Sequence, residues 1–261
     1  EIMPSLVGSE MCIRDRNYED AVAEFETYLY LFSAGVLAPR VREEVAATYA
    51  EWAARLREDG HYREAIERYL PLLDTYTDTS AAAGIEEEIA ATYDEWAAHL
   101  RESGDHAAAI EKYQILGHQY PDTSSGQKAM EATATTYGEW AAALKEAGDL
   151  QGAIEKYQIV LAEYPDTSLG AQAAELAAAT YEQWAAQLRQ AGEYQEAIEK
   201  YQIISQEYST TPQGIRAETE MVATYKEWAT RSYQDGDYQG AIEKYLVILH
   251  RYPPASPRPV S

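Results

Sequence analysis

Histidines and carboxylates are the side chains in this sequence with the capacity for chemistry, and neither set is arranged for it. His61, His99, His106, His118 and His250 share no repeat position and no metal-ligand spacing of the kind a zinc site needs. Acidic residues number 44 against 21 Lys and Arg, for a net charge of −23, yet no pair stands out for hydrolysis. Glu64 precedes Arg68 by four residues and Glu196 precedes Lys200 by four, which is ordinary support along a helix face. A phosphate-binding glycine loop, a nucleophile elbow and paired cysteines are all missing from the sequence. The expectation is a non-enzymatic chain with no cofactor and no metal. One set of charges is regular, and it is cationic: Arg57, Arg101, Lys145 and Arg189 recur every 44 residues. Held in a row, such cations suit acidic side chains or a terminal carboxylate.

The elements that would position that row are legible in the same period. All five tryptophans keep the step of 44: Trp52, Trp96, Trp140, Trp184 and Trp228. So do Gly60, Gly104, Gly148, Gly192 and Gly236, and Ala65, Ala109, Ala153, Ala197 and Ala241. A fixed period in this range marks stacked repeats. In the copy at 136–166, Tyr137, Trp140, Ala141 and Leu144 form the apolar stripe of one helix. Gly148 ends that helix in the left-handed region and Asp149 caps the next. The second helix carries Ala153, Ile154, Tyr157, Val160 and Leu161, and Pro165 stops it. Thr167 and Ser168 are placed to cap the following first helix. Neither helix can bury its stripe alone, so each pair must dock on neighbours. The Trp ladder is expected to be buried, together with Tyr69, Tyr113, Tyr157, Tyr201 and Tyr245.

The pattern Tyr137, Trp140, Ala141, Leu144, Gly148-Asp149-Leu150, Ala153, Tyr157 and Pro165 resembles the tetratricopeptide repeat. The resemblance covers residues 17–253. It implies an all-α, right-handed α-solenoid of antiparallel helix pairs that acts as a protein-interaction scaffold. The family's unit has 34 residues, so each unit here carries about ten more, which lengthen the first helix to roughly 20 residues or 30 Å. In the family the first helices line a concave groove. Carried onto this sequence, the groove residues are Arg57, Asp94, Arg101, Lys145, Glu182, Arg189, Lys226 and Tyr233. Alanine at 54, 98, 142 and 186 does not suit the family's carboxylate clamp, which needs Lys and Asn. Glu58, Glu102 and Glu146 adjoin the cations and could pair with them. The Tyr-Pro-Asp-Thr-Ser closures at Tyr120 and Tyr164 are similar to those of bacterial cell-envelope members of the family, which implies an envelope or periplasmic location.

Taken in order, residues 1–16 break the pattern. Stepping back 44 from the second copy predicts Tyr, Trp, Leu and Gly where the chain has Ser5, Gly8, Cys12 and Arg16. The stretch 6–15 resembles a translated sequencing adapter, so residues 1–16 are expected to be foreign, and any native signal or lipid anchor to be missing. Residues 17–252 hold one half repeat and five helix pairs, and 253–261 form a Pro-rich tail. Pro71 falls inside a second helix, where a kink or a tolerated defect is expected. No apolar stretch is long enough for a membrane span. The acidic charge disfavours nucleic acid and leaves a protein or peptide as the partner. Both ends are expected to associate between molecules, through Phe25, Tyr28 and Phe32 at one end and Tyr245, Ile248 and Leu249 at the other.

Overall fold

A computed structural model describes residues 17–252. The adapter-like segment 1–16, with Cys12, and the tail 253–261 lie outside the described residues. The described chain is all-α, eleven helices joined by short turns. They are α1 (Tyr18–Leu31), α2 (Ala38–Glu58), α3 (Tyr62–Asp74), α4 (Ile85–Glu102), α5 (His106–Gln119), α6 (Ser124–Glu146), α7 (Leu150–Glu163), α8 (Gly170–Ala191), α9 (Tyr194–Glu207), α10 (Pro212–Gln234) and α11 (Tyr238–Arg251). The chain divides between Thr133 and Ala134 into two compact units. In the first, α1 to α5 pack each on the next; in the second, α7 to α11 do the same. The helix-pair reading of the period therefore holds within each unit. Among the described residues no helix is long and apolar enough to cross a membrane.

The turns inside each pair follow their sequence signals. Gly60, Gly104, Gly148, Gly192 and Gly236 all adopt φ between 79° and 86°, where a Cβ would be strained. Asp105, Asp149 and Asp237 then accept the amides of Ala108, Gly152 and Gly240 at 2.9–3.2 Å. His61 and Glu193 stand at the same place and make no such cap.

Turns between pairs are set by a threonine and a second set of glycines, Gly126, Gly170 and Gly214, which also keep the step of 44. Thr123, Thr167 and Thr211 are buried. Each donates its hydroxyl to a tyrosine carbonyl, at 2.7 Å in all three. Each accepts the amide of Gly126, Gly170 or Gly214, at 3.0 Å. A Cβ on those glycines would lie 1.8–2.1 Å from the same tyrosine carbonyl oxygen. The second pair has Ala82 at the matching position. There Thr79 caps nothing, a 3-10 turn covers Ser80–Ala82, and α4 starts only at Ile85 after a left-handed Gly84. The expected start near residue 80 is thus corrected by the methyl of Ala82. A cavity of about 270 Å³ beside Leu72, Ala82 and Ile85 marks the shortened start.

Burial follows the stripe, with two corrections. Tyr69, Tyr113, Tyr157 and Tyr201 are at most 5% exposed, whereas Tyr245, in the last helix, is exposed. Phe25 and Tyr28 are buried against α2 residues such as Val41 and Val45, so that end does not present them as an open patch; Tyr30, Leu31 and Phe32 are exposed there instead. Helix α3 continues three residues past Pro71, whose carbonyl accepts the amides of Thr75 and Tyr76. A buried threonine also recurs at Thr48, Thr92, Thr136, Thr180 and Thr224. Four of these five hydroxyls visibly donate to the carbonyl four residues back, at 2.7–2.8 Å. That satisfies a polar group in the core.

Candidate interaction site beside Ser232

Each tryptophan is half-buried rather than buried, because it is layered between charged and aromatic side chains. Lys112, Lys156, Lys200 and Lys244 place their ammonium groups 4.0–4.7 Å from the ring centres of Trp96, Trp140, Trp184 and Trp228. Arg68 does the same over Trp52 at 4.1 Å. A tyrosine three residues earlier stacks on four of the five, as Tyr181 does on Trp184 at 6.5 Å. The ring's negative face attracts the cation while the lysine stem covers apolar surface. The expected buried Trp ladder is therefore a column of layered contacts with an edge left in water.

The cation row is tied across the repeats. Arg57 of α2 reaches Glu88 at 2.9 Å and Glu95 at 3.5 Å, both on α4. Burial alone would lower the Arg57 pKa; the charges of Glu95 and Glu88 more than offset it and hold the guanidinium above its ordinary value. Arg189 of α8 repeats the arrangement with Glu220 and Glu227 of α10, each at 3.3 Å. The acids lie 31 and 38 residues downstream, not at the adjoining position; Glu58 pairs with Arg55 instead. Lys145 has Leu176 and Gln183 at those downstream positions, so the same strut has no acids to form with. Arg101 is half-buried and engaged. Two further groove residues serve the framework as well. Asp94 accepts the Ser125 hydroxyl at 3.0 Å. Glu182 pairs with Arg216 at 3.2 Å.

The last first helix differs. Ala223, Lys226, Thr230 and Tyr233 of α10 are all exposed, whereas Ala179, Glu182, Ala186 and Arg189 of α8 are half-buried. On the other side of α10, toward α8, lies a cavity of about 490 Å³, lined by Arg189, Tyr194, Glu227, Trp228, Arg231, Ser232 and Asp235 among others. Its cause is readable in the sequence. Leu56, Leu100, Leu144 and Leu188 hold one repeat position and Ser232 holds the fifth. Leu144 packs on the apolar core of the second unit; a serine in that place removes three carbons' worth of packing and adds a hydroxyl. Tyr194 stacks on Trp228 at 6.1 Å to form an aromatic wall. Arg231 meets Asp235 at 3.2 Å at the rim, with both side chains more than half exposed, a pairing that contributes little. The rim thus carries two guanidiniums and two carboxylates. Among the described residues, no group of three His, Cys, Asp or Glu could hold a metal ion.

Residues 139–167, which include Trp140, Gly148, Asp149 and Tyr157, match the tetratricopeptide repeat family. The other pairs repeat the Trp, Gly and Tyr of that match at the step of 44, with His61 and Glu193 in place of Asp149 in two of them. Solved structures similar to the chain include BtubC from P. vanneervenii, at 17% identity over 94% of each chain with a TM-score of 0.21. The TPR2AB domain of yeast Sti1 in complex with pHSP90 is 17% identical over 92% of this chain and 86% of that one, TM-score 0.24. A tetratricopeptide repeat protein from Parabacteroides merdae is 15% identical over 96% and 80%, TM-score 0.22. One further tetratricopeptide domain, 16% identical, is spanned over only 58% of its length. No curated protein matches the sequence. Likenesses this distant transfer neither a partner nor a site.

Proposed function

We propose that the chain is a non-enzymatic protein-interaction scaffold that holds a partner segment along α10, with one partner side chain in the cavity beside Ser232. Units of this family are generally protein-interaction modules. The observation that carries this reading is the cavity at Ser232, where the other four pairs have leucine, walled by Tyr194 and Trp228 and rimmed by Arg231 and Asp235. Most of the other groove residues named from the sequence, Arg57, Asp94, Glu182 and Arg189, hold neighbouring elements of this chain together. Lys226 and Tyr233 are exposed on a different face of α10 from the cavity.

The rim sets the chemistry of the partner. Arg231 and Asp235 form a weak, exposed pair that an incoming group can exchange with, donor for donor or acceptor for acceptor. A polar peptide segment with both donors and acceptors fits such a rim better than an acidic run, which Glu227 and Asp235 would repel. The net charge of −23 repels a nucleic-acid backbone in the same way.

The test is a peptide selected on the chain from a displayed random library, with its affinity measured on two variants. Ser232→Leu restores the residue of the other four pairs and fills the cavity. It is expected to weaken binding about tenfold or more, that is at least about 1.4 kcal/mol, without lowering the melting temperature. Ser232→Ala keeps the cavity and is expected to bind within a few-fold of the parent. Unchanged affinity in Ser232→Leu removes the site from the account.

A further inference from the structure

The exposed face of α11 raises a separate question of what covers it. Within the second unit, the matching face of α9 lies against α10, with Ile198 0% and Tyr201 2% exposed. In α11 the same positions are Ile242 at 53% and Tyr245 at 46%. Tyr238, Leu246 and Leu249 extend the stripe, and Ala241 alone of the helix is buried. Leu246 stands where α5, α7 and α9 have Gln114, Gln158 and Gln202, though α3 has Leu70 there, and Leu249 matches Leu73 and Leu161 of α3 and α7.

The charges on α11 say which occupant suits it. Asp235 and Asp237 lie at its start and His250 and Arg251 in its last turn. The residues matching Arg251 in α7 and α9 are Glu163 and Glu207, so this helix alone reverses the sign at that end. A helix that is acidic at its start, basic at its end and apolar between is complementary to an antiparallel copy of itself, as its macrodipole also is. Laid antiparallel about a two-fold axis near residues 243–244, Tyr238 meets Leu249, Ile242 meets Tyr245, and Arg251 meets Asp235 and Asp237. At the other end of the described chain Phe25 and Tyr28 are buried, and the residues exposed there, Tyr30, Leu31 and Phe32, are different ones from those the repeat sets on the α11 stripe.

We infer that α11 is a self-association surface, pairing two copies of this chain as a two-fold antiparallel helix dimer through Tyr238, Ile242, Tyr245, Leu246 and Leu249. Side chains of this size at about half exposure bury roughly 400–500 Å² per copy, or about 900 Å² in all, which belongs to weak and exchanging interfaces. The dimer is therefore a micromolar one that assembles with concentration. Asp235 belongs both to this contact and to the rim of the cavity beside Ser232, so pairing of two copies and binding of a partner at that rim share one residue.

Sedimentation velocity across the micromolar to submillimolar range, on the chain with Cys12→Ser, reads this directly. Expected are a concentration-dependent dimer, its loss in Ile242→Glu, and at least tenfold weaker association in Arg251→Glu, with helicity unchanged in both. Disulfide trapping in the same background fixes the geometry. Tyr245→Cys lies near the axis and is expected to cross-link to itself. Leu249→Cys alone is not, because its copies sit more than one disulfide length apart; mixed with Tyr238→Cys it is expected to cross-link. A monomer at every concentration means that another occupant, such as residues 253–261, covers the face, and overturns the inference. A dimer that survives Ile242→Glu, or that cross-links Leu249→Cys to itself, overturns it equally.

Discussion

Adding one methyl at Gly170 tests how the helix pairs are joined. Thr167 is buried, donates to the Tyr164 carbonyl at 2.7 Å and accepts the Gly170 amide at 3.0 Å. In Gly170→Ala the new Cβ would stand 2.1 Å from the Tyr164 oxygen and 2.7 Å from the Pro165 oxygen. Both are backbone atoms and cannot swing aside, so the turn must open. Losing the threonine cap costs about 1 kcal/mol, and forcing a methyl into a filled site about 1–3 kcal/mol. The stiffer unfolded chain returns about 0.4–1 kcal/mol. The net loss is about 1–3.5 kcal/mol, and α8 should start several residues late. Ala82 shows that outcome already: α4 has 18 residues where α8 has 22. Urea unfolding followed by circular dichroism reads the total, and amide exchange at residues 170–174 reads the local fraying that a repeat array permits. A loss under about 0.5 kcal/mol, with protection at 170–174 intact, would refute the carbonyl-clash argument.

Three further outcomes follow from the same geometry. Glu193→Asp and His61→Asp should each stabilise by about 0.5–1 kcal/mol, by supplying the cap that Asp105, Asp149 and Asp237 make; no gain in either melting temperature would contradict the role given to those aspartates. Burial, then the charge of Glu26 and the hydrogen bond its carboxylate accepts from the phenol, push the Tyr49 pKa from 10.0 up to about 12. A folded-state pKa raised above the unfolded one gives stability that is whole below pH 10 and lost as pH rises toward about 12. Unfolding free energy should fall through that window, and less steeply in Tyr49→Phe. Lys200→Gln removes the ammonium 4.0 Å from the Trp184 ring and should cost about 0.5–1 kcal/mol. Lys128→Gln, an exposed control, should cost nothing measurable.

The helix pairs were legible because their determinants are local. Gly148 needs a left-handed turn and Asp149 needs an amide three residues on, whatever the rest of the chain does. The glycines at 126, 170 and 214 keep the step of 44 as well, but their role is opaque in the sequence because the obstacle is a carbonyl brought in by the preceding helix. Burial of the tryptophans was misjudged for a related reason: a large apolar residue at a fixed step reads as core, yet the cation over each ring comes from a lysine or arginine 16 residues later. The arginine row is legible in the sequence, but its acids are not the adjoining Glu58, Glu102 and Glu146. A signal was present, since Arg57 and Arg189 each have glutamates 31 and 38 residues on, whereas Lys145 has Leu176 and Gln183. Ser232 was visible as a departure from the repeat. What it opens depends on the volume that the leucine fills elsewhere, which only packing reveals.

Five tryptophans at equivalent joints supply one reporter for each, four of them internal controls, for the claim that partner binding is centred beside Ser232. Indole N–H resonances of Trp52, Trp96, Trp140, Trp184 and Trp228 can be assigned by single Trp→Phe variants and followed while a library-selected peptide is added. The account predicts that the Trp228 resonance, at the wall of the cavity, moves in a saturable way, that the other four stay within a small fraction of that shift, and that Ser232→Leu abolishes the movement. A shift spread evenly over all five, or one centred on Trp96 or Trp140, would place the partner elsewhere and contradict it.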